Sequence, residues 1–567
     1  MRDNFGIQII YQMIHPTLYD FDPYTTFQVH EYINKLKEDY KNTSIFQELI
    51  HKYLIQDNGN KIKFTMKPDI NFEKEREREE SMSLSYLSPE ETEKIVKDNE
   101  NLKQRRSEKD NIQVLPILDI KDIQIQSKYP KFNKIDGHIP IWYINAHTNG
   151  ITSLRIVFDT SSIPIFIKLY LPLFTEYLLS QSNRVLQYMS TNAHSFGEGL
   201  RVELDSFSYN DNSLTETCTI ALEFLDEKLD SAVNALTELF LNYKLDDKML
   251  LNVMKNIALE KSDAMCRDGL RYALSYASSG LKYSQDTFET LRSDTFMCKI
   301  GQEIIINDEK SKNLDVVKES LKLIMEHLMH NAKKEFIIKV QAFDPIKKRL
   351  NKLCGVINKV KGEEVKKPEF MVNPKKHLFK IPQSANQCAE LVLVPTIASP
   401  EYGKILVLAK MLSDKWVYPE IKNQAHSGGV KANSNGILSF YSHFDKKIEE
   451  TFKLFASAID NACNGNFNQD DLITAKFRAF KGFDVSDESI LCWRRTPEEW
   501  ITQTRKGILE ASKDEIIEIA RKYLKVQEKS LTVCAPKSVK DETLKETGWS
   551  IIDIGTIIHN EDSYIDF

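Results

Sequence analysis

The feature that most constrains this chain is an ordered pattern of elements that occurs twice. Each copy opens with a strand-like run, CTIALEFL over 218–225 and GILSFYSHF over 436–444. Each run leads into an amphipathic helix pattern, which starts at Leu229 in the first copy and at Ile448 in the second, 219 residues later. Strand-then-helix units at nearly one offset are typical of duplicated domains.

An acidic pair follows each of these helix patterns and opens a further helical stretch. The pairs are Asp246-Asp247 and Asp470-Asp471, which lie 224 residues apart. A chain of 567 residues is long enough for several domains that each bury a core. We therefore predict an α+β protein with two homologous domains, at 111–362 and 363–567, each an antiparallel sheet covered by helices.

Residues 1–41 contain an amphipathic helix pattern that has no strand-like run beside it. Val29, Ile33, Leu36 and Tyr40 recur on one face of this helix. The short apolar N-terminal run is broken by polar residues and makes a poor signal peptide. We interpret 1–41 as the remnant of a preceding domain, so that the chain begins late and its apolar helix face is exposed and prone to association.

Residues 42–110 form a charged segment that we predict to be a helical linker. A helical stretch over 46–54 leads into an alternating run in which Ile62, Phe64 and Met66 suggest a short strand. Further along, Ser88-Pro89-Glu90-Glu91 is a capping box with proline at the first helical position. A solvated helical hairpin over 71–110 fits this cap better than disorder does.

Composition and charge exclude several classes of function. The hydrophobic fraction is 41% and the net charge is −6, which gives no reason to expect nucleic acid or an anionic membrane as a partner. No apolar run reaches the ~18 residues of a membrane span. The eight cysteines contain no CxxC pair, which favours free thiols in a reducing compartment, although the sequence does not identify the compartment.

A search for catalytic and metal-binding motifs finds none. Neither HExxH nor HxxEH occurs among the 12 histidines, so we predict no metal site, no cofactor and no catalytic residue in this chain. In His30-Glu31-Tyr32-Ile33-Asn34 an amide stands where a second ligand would be needed. His327 and His330 share one helical face but lack an acidic residue between them, and ordinary surface histidines are the favoured interpretation.

One loop, residues 418–431, is a candidate binding segment. Gly428 and Gly429 would let the backbone approach a ligand closely, and Lys422, His426 and Lys431 supply charge. The alternative, a helix-to-strand connection with a glycine turn, is favoured by the residues alone.

Six segments in the same order carry a resemblance to a known family: MRDNFGIQII, FQELIHKYLIQDNGNKIKFTMKPD, LPILDIKDI, IPIWYINAHTNGITSLRIVFDTSS, IKNQAHSGGVKANSNGILSFYSHFD and GWSIIDIG. Together they resemble the C-terminal half of presequence protease/falcilysin-like metallopeptidases of the insulinase/pitrilysin family. The resemblance implies two insulinase-family-type domains, the third and fourth of that family, at 111–362 and 363–567. It also implies that 1–41 is a remnant of the second domain and that 42–110 is the helical linker.

The resemblance also implies a site. The family's first domain carries the zinc ligands, and its fourth domain supplies an arginine and a tyrosine, six residues apart, that bind the peptide near the scissile bond. Aligning the loop puts Lys422 at the arginine position and Gly428 at the tyrosine position, whereas a shifted alignment puts His426 there. Lysine keeps the charge but loses the bidentate fork of arginine.

Three hypotheses follow for the function. The first is the substrate-chamber half of a peptide-degrading zinc metalloendopeptidase, inactive alone, whose zinc half lies upstream or on a separate partner chain. The second is a non-catalytic, degenerate relative that binds peptides or partners. The third, a helical adaptor organised by 71–110, is the least favoured because of the duplicated domains.

Overall fold

The structure is a computed structural model. It describes residues 5–56, 62–67, 69, 71–107, 120–123, 125, 129–189, 200–208, 215–282, 289–306, 313–357, 371–483, 494, 496–525, 527–539 and 548–555. The chain divides into two compact units, residues 1–116 and residues 117–567. Among the described residues no helix is both long enough and apolar enough to cross a membrane.

The first unit is helical throughout its regular parts. Its helices are α1 Phe5–Leu18, α2 Val29–Asn42, α3 Ile45–Ile50, α4 Phe72–Ser85 and α5 Pro89–Ser107. The predicted capping box at the start of α5 is confirmed, because the Glu91 amide donates to Ser88 Oγ at 3.2 Å and the Ser88 amide donates to Glu91 Oε2 at 2.9 Å.

The short strand predicted from Ile62, Phe64 and Met66 is wrong. Residues 62–67 form no strand, and these three side chains are 93%, 81% and 83% exposed. An alternating pattern forms a strand only where a neighbouring strand accepts its backbone hydrogen bonds and a core buries one face. The described residues provide neither at this segment.

The second unit contains two six-stranded sheets with matching topology. The first sheet has the order β1-β2-β6-β3-β5-β4. Its strands are β1 Asn133–Ile135, β2 Ile141–Asn145, β3 Ile151–Asp159, β4 Leu200–Phe207, β5 Thr215–Leu225 and β6 Lys334–Val340.

The second sheet has the order β12-β7-β11-β8-β10-β9. Its strands are β7 Lys376–Lys380, β8 Asn386–Leu393, β9 Ser427–Ala432, β10 Ile437–Asp445, β11 Lys529–Ala535 and β12 Ser550–Asp553. Most strand pairs are antiparallel in both sheets, whereas β2 with β6 and β7 with β11 are parallel. These parallel pairs arise because the chain returns to each sheet after a long helical excursion. The duplication predicted from the sequence is therefore present as two α+β sheets of equivalent strand order.

Helices cover one face of each sheet. Those of the first domain are α6 Ile165–Lys168, α7 Leu171–Met189, α8 Leu229–Leu241, α9 Asp247–Arg267, α10 Gly269–Ser279, α11 Thr290–Ile306, α12 Leu314–Glu326 and α13 Phe343–Val356. Those of the second are α14 Tyr402–Met411, α15 Tyr418–Ile421, α16 Ile448–Cys463, α17 Gln469–Gly482, α18 Glu498–Glu510 and α19 Lys513–Ala520.

Each sheet has its own core beneath these helices. In the first core Phe158 and Phe336 of the sheet pack with Phe174 and Phe240 of α7 and α8. In the second core the corresponding layer is formed around Phe440 of β10 and Phe455 of α16. The alternation of buried and less buried residues along the strands follows from the two-residue period of a pleated sheet.

Reciprocal contacts join the two α+β domains. Tyr272 and Tyr276 of α10, a helix of the first domain, pack on the second sheet against Phe379, Leu391 and Ile437. Burial of each large apolar side chain is worth roughly 1.5–3 kcal/mol, so this layer contributes much of the contact energy between the domains.

The opposite contact uses the other face of the first sheet. There Val157 and Ile337 pack with Tyr402 of α14 and Ile501 of α18. Each domain thus covers part of the sheet of the other, which explains why residues 117–567 form one compact unit.

Candidate functional site

The binding segment predicted at 418–431 is a helix-to-strand connection. It begins with the short helix α15, passes through a turn at 422–426 and enters β9 at Ser427. β9 is the edge strand of the second sheet and pairs with β10. Gly428 and Gly429 therefore lie within a strand, opposite Ser442 and Tyr441, and not in a glycine turn.

The three residues predicted to bind substrate have different surroundings. Lys422 and His426 are exposed, whereas Gly428 is buried. A Cβ atom on Gly428 would lie 2.8 Å from the carbonyl oxygen of Tyr441 and 2.9 Å from the side chain of Ile421. This position has no room for a side chain, so only Lys422 and His426 present side chains that a ligand can reach.

A buried carboxylate holds the start of α16 beside this segment. Asp445 is 1% exposed, and its Oδ2 accepts hydrogen bonds from Ser442 Oγ at 2.6 Å and from Thr451 Oγ1 at 2.5 Å. Its Oδ1 accepts from the Lys447 amide at 2.8 Å. Thr451 Oγ1 in turn accepts from Gln424 Nε2 at 2.6 Å, which ties the turn before His426 to the helix.

His426 lies beside a second histidine on β10. The ring centroids of His426 and His443 are 6.4 Å apart, and the His426 amide donates to the His443 carbonyl oxygen at 3.0 Å. His443 Nδ1 is 2.7 Å from Gln387 Oε1, which also accepts from the Phe444 amide at 3.0 Å. Burial, assisted by the charge of His426, lowers the pKa of His443, so this ring is neutral near pH 7 and donates through Nδ1.

Phe444 adds an unusual backbone conformation to this corner. Its φ is +53°, a left-handed value that is rare for a bulky side chain, and its ring is 40% exposed. The ring stacks edge-on against His443 at 4.4 Å between centroids. The hydrogen bond to Gln387 stabilises this conformation and directs an aromatic surface to solvent beside His426.

Sequence reasoning singled out Lys422, His426 and Gly428 but missed Asp445, His443 and Phe444. The signal for Asp445 was available, since it precedes the helix pattern of α16 and accepts from a backbone amide at its start, as helix-capping aspartates do. The proximity of His443 to His426 depends on the register of β9 with β10 and has no local sequence signal.

The histidines considered as metal ligands do not fit a zinc site. His30, Glu31 and Asn34 are exposed on α2. His327 Nε2 lies 3.2 Å from both the carbonyl oxygen of Asp159 and Ser162 Oγ, whereas His330 is exposed. Across the described part of the chain, no three His, Cys, Asp or Glu side chains converge in an arrangement that could hold a metal ion.

Comparison with known proteins gives a consistent set of relatives. Residues 66–299 match the family model of a region associated with M16 peptidases of subgroup C. The chain is 22% identical over 604 aligned positions to the mitochondrial presequence protease of Danio rerio, covering 97% of this chain and 57% of that protein. It is 24% identical to the presequence protease of Candida albicans, covering 92% of this chain and 54% of that protein. The chain thus spans about half the length of these curated relatives.

Solved structures support the same fold. Pitrilysin superposes with a TM-score of 0.54 at 12% identity, covering 76% of this chain and 46% of that chain. An inactive domain of peptidase M16 from Pseudomonas fluorescens superposes with a TM-score of 0.51 at 12% identity, covering 72% of this chain and 99% of that chain. Identities this low establish the fold alone.

Proposed function

The chain resembles the C-terminal half of a presequence-protease-type metallopeptidase of the insulinase/pitrilysin family, and from this premise we propose that it is the peptide-binding half of a zinc metalloendopeptidase. The observation that carries the proposal is the similarity to presequence proteases over 97% of the chain. The 567-residue sequence itself has neither HExxH nor HxxEH. The proposed chain therefore binds peptides but does not cleave them by itself.

The corner around His426 is the proposed contact for a peptide near its scissile bond. Lys422 carries a charge that stabilises negative charge developing on a peptide carbonyl oxygen. His426 is exposed beside the aromatic face of Phe444, so it offers a hydrogen-bond donor next to an apolar surface. Gly428 takes no part through a side chain. The assignment favours the alignment in which His426, and not Gly428, stands in the role of the family's tyrosine.

A second chain carrying the zinc ligands is the proposed partner. The apolar face of α2 is available for it, because Val29, Ile33, Leu36 and Tyr40 are 51%, 42%, 41% and 66% exposed. A row of apolar residues at helical spacing marks a surface that gains free energy when another protein covers it. The family resemblance supplies the chemistry of that partner, a domain pair with an HxxEH zinc site.

The alternative proposal is a non-catalytic relative that binds peptides or protein partners. Lysine in place of arginine at residue 422 favours it, because a bidentate contact to a carbonyl group is lost. Both proposals require peptide binding and differ in whether addition of the zinc half produces cleavage.

Fluorescence anisotropy of a labelled, unstructured peptide tests the proposed function. We expect saturable binding to the purified chain, and we expect Lys422→Ala with His426→Ala to weaken it about tenfold, the effect of losing one to two hydrogen bonds. The matched control is Lys333→Ala with His330→Ala, which changes an exposed lysine and an exposed histidine far along the chain. Absence of binding, or equal weakening by the control, would refute this assignment.

A further inference from the structure

A polar cavity lies where the first sheet, α10 and the second sheet meet. Its volume is about 500 Å³, within the range of pockets that hold ligands in other proteins. Asp205 and Ser206 of β4 line one side, Ser275 and Ser278 of α10 line another, and Asn435 and Ser439 line the side formed by the second sheet. These residues are distant from the His426 corner in the sheet order, since they border β4 and α10.

The lining of this cavity is rich in hydrogen-bond acceptors. Asn435 Oδ1 is buried and has no hydrogen-bond partner among the residues that the structure describes. A buried acceptor without a donor costs roughly 1–3 kcal/mol, so such an atom is favourable only when something else satisfies it. A ligand that donates a hydrogen bond at this point recovers that free energy.

Charges around the cavity argue against a cationic ligand. Asp205 forms an ion pair with Arg494 at 2.7 Å, which already neutralises its carboxylate. The ammonium group of Lys282 lies 2.6 Å from the Asn435 carbonyl oxygen and so adds positive charge at the same wall. An uncharged donor, such as an amide or hydroxyl, matches these surroundings better than an ammonium or guanidinium group.

The cavity also borders an edge strand. β4 is the last strand in the order of the first sheet and pairs with β5 on one side. An edge strand presents backbone N–H and C=O groups that an added strand can pair with, and this is a recurring mode of peptide recognition. Leu204, Asp205 and Ser206 of β4 line the cavity, so a strand added along β4 would place a side chain inside it.

We propose that this cavity is a second peptide subsite, in which an extended peptide pairs with the outer edge of β4 and directs an amide or hydroxyl side chain to Asn435. The proposal rests on the peptide-binding function proposed above and adds a site in the first α+β domain. The expected occupant is a segment of the same bound peptide, held away from the position of cleavage.

Photo-cross-linking of the full chain tests the subsite. The probe is an unstructured glutamine- and serine-containing peptide that carries one benzoylphenylalanine, and the cross-linked residues are identified by mass spectrometry. We expect cross-links in 204–206 or 433–439, in addition to those near His426. Ser439→Phe, which places an aromatic ring in the cavity, should remove the first set and leave the second.

Two further variants complete the experiment. Ser153→Phe makes the same change at a half-buried strand serine outside the cavity and should leave every cross-link in place. Asn435→Ala removes the orphan acceptor without adding volume, and should weaken peptide binding about fivefold to tenfold even if the phenylalanine variant fails to fold. Peptide binding with cross-links near His426 alone would overturn the subsite and leave the proposed function intact. No peptide binding at all would overturn both.

Discussion

The ammonium group of Lys282 lies 2.6 Å from the backbone carbonyl oxygen of Asn435, and this contact links the two α+β domains. The same group donates to the carbonyl oxygen of Ser208 at 2.7 Å. Because Ser208 follows β4 and Asn435 lies between β9 and β10, one side chain fixes the position of an edge of the first sheet relative to the second.

Removal of this link should destabilise the unit that contains both sheets. Lys282→Met leaves two carbonyl oxygens without their charged donor, and hydrogen bonds to charged groups are worth about 1.5–3 kcal/mol. We expect a lower urea midpoint by an amount corresponding to about 2–3 kcal/mol. Lys333→Met, at an exposed lysine, is the control and should change the midpoint little. Equal midpoints for both variants would contradict the proposed role of Lys282.

Glu289 predicts a pH dependence of stability. The side chain is 2% exposed, and burial raises its pKa from 4.5 to about 7, although the Leu291 and Arg292 amides that it accepts from oppose this shift. The nearby Cys534 thiol is neutral because burial raises its pKa. A carboxyl group with a raised folded-state pKa contributes stability that is complete below about pH 4.5 and lost as the pH rises through about 7.

Glu289→Gln should remove that dependence. From the pKa change, the wild-type protein loses at most about 3 kcal/mol relative to the glutamine variant between about pH 4.5 and pH 7. Thermal unfolding of both proteins across this range gives the comparison. Parallel Tm profiles for the two proteins would show that Glu289 does not titrate in this window.

Gly428 should tolerate no side chain. A Cβ atom there lies within 3.0 Å of Tyr441 and Ile421, so Gly428→Ala should cost about 1–3 kcal/mol through overpacking. Gly355→Ala is the matched control, because no described atom lies within 4 Å of its Cβ position on α13 and the change should be neutral or slightly stabilising. If Gly428→Ala unfolds at the wild-type urea concentration, the edge of the second sheet is looser than described.

Asp445 should be required for the geometry of the His426 corner. Asp445→Asn replaces one acceptor oxygen by a donor that faces the hydroxyls of Ser442 and Thr451, with an expected cost of about 2–3 kcal/mol. Asp460→Asn, at an exposed position on the same helix, should cost less than about 1 kcal/mol. Because Thr451 also binds Gln424, the Asp445 variant should weaken peptide binding as well, and unchanged peptide affinity would contradict this link.

Local signals in the sequence predicted much of this fold. The capping residues Ser88 and Asp246 mark the starts of α5 and α9, and the Met249 amide donates to Asp246 Oδ1 at 2.7 Å. Such signals work because a cap and the helix that it starts are only a few residues apart. The duplicated strand-and-helix pattern predicted two sheets for the same reason, since each unit repeats its own local periodicity.

Long-range packing was beyond reach of the same reasoning. Tyr272 and Tyr276 belong to the first domain in sequence yet pack on the second sheet, and no local pattern names the surface that a helix face will cover. Gly428 resembled a loop glycine because its strand partners, Tyr441 and Ser442, follow in sequence only after a turn. The cavity beside Asn435 depends on three elements from both domains, so it has no sequence signature.

The most direct test of the central claim is a cleavage assay with and without a zinc half. A fluorogenic peptide is incubated with zinc and the purified chain, and then with an added polypeptide that carries the HxxEH-containing domains of the family. We predict no cleavage by the chain alone, and cleavage by the mixture that a zinc chelator abolishes and that His426→Ala slows by about 10²–10³, the effect of losing one donor to the developing oxyanion. Chelator-sensitive cleavage by the chain alone would contradict the account, and peptide binding without cleavage by the mixture would establish the non-catalytic alternative instead.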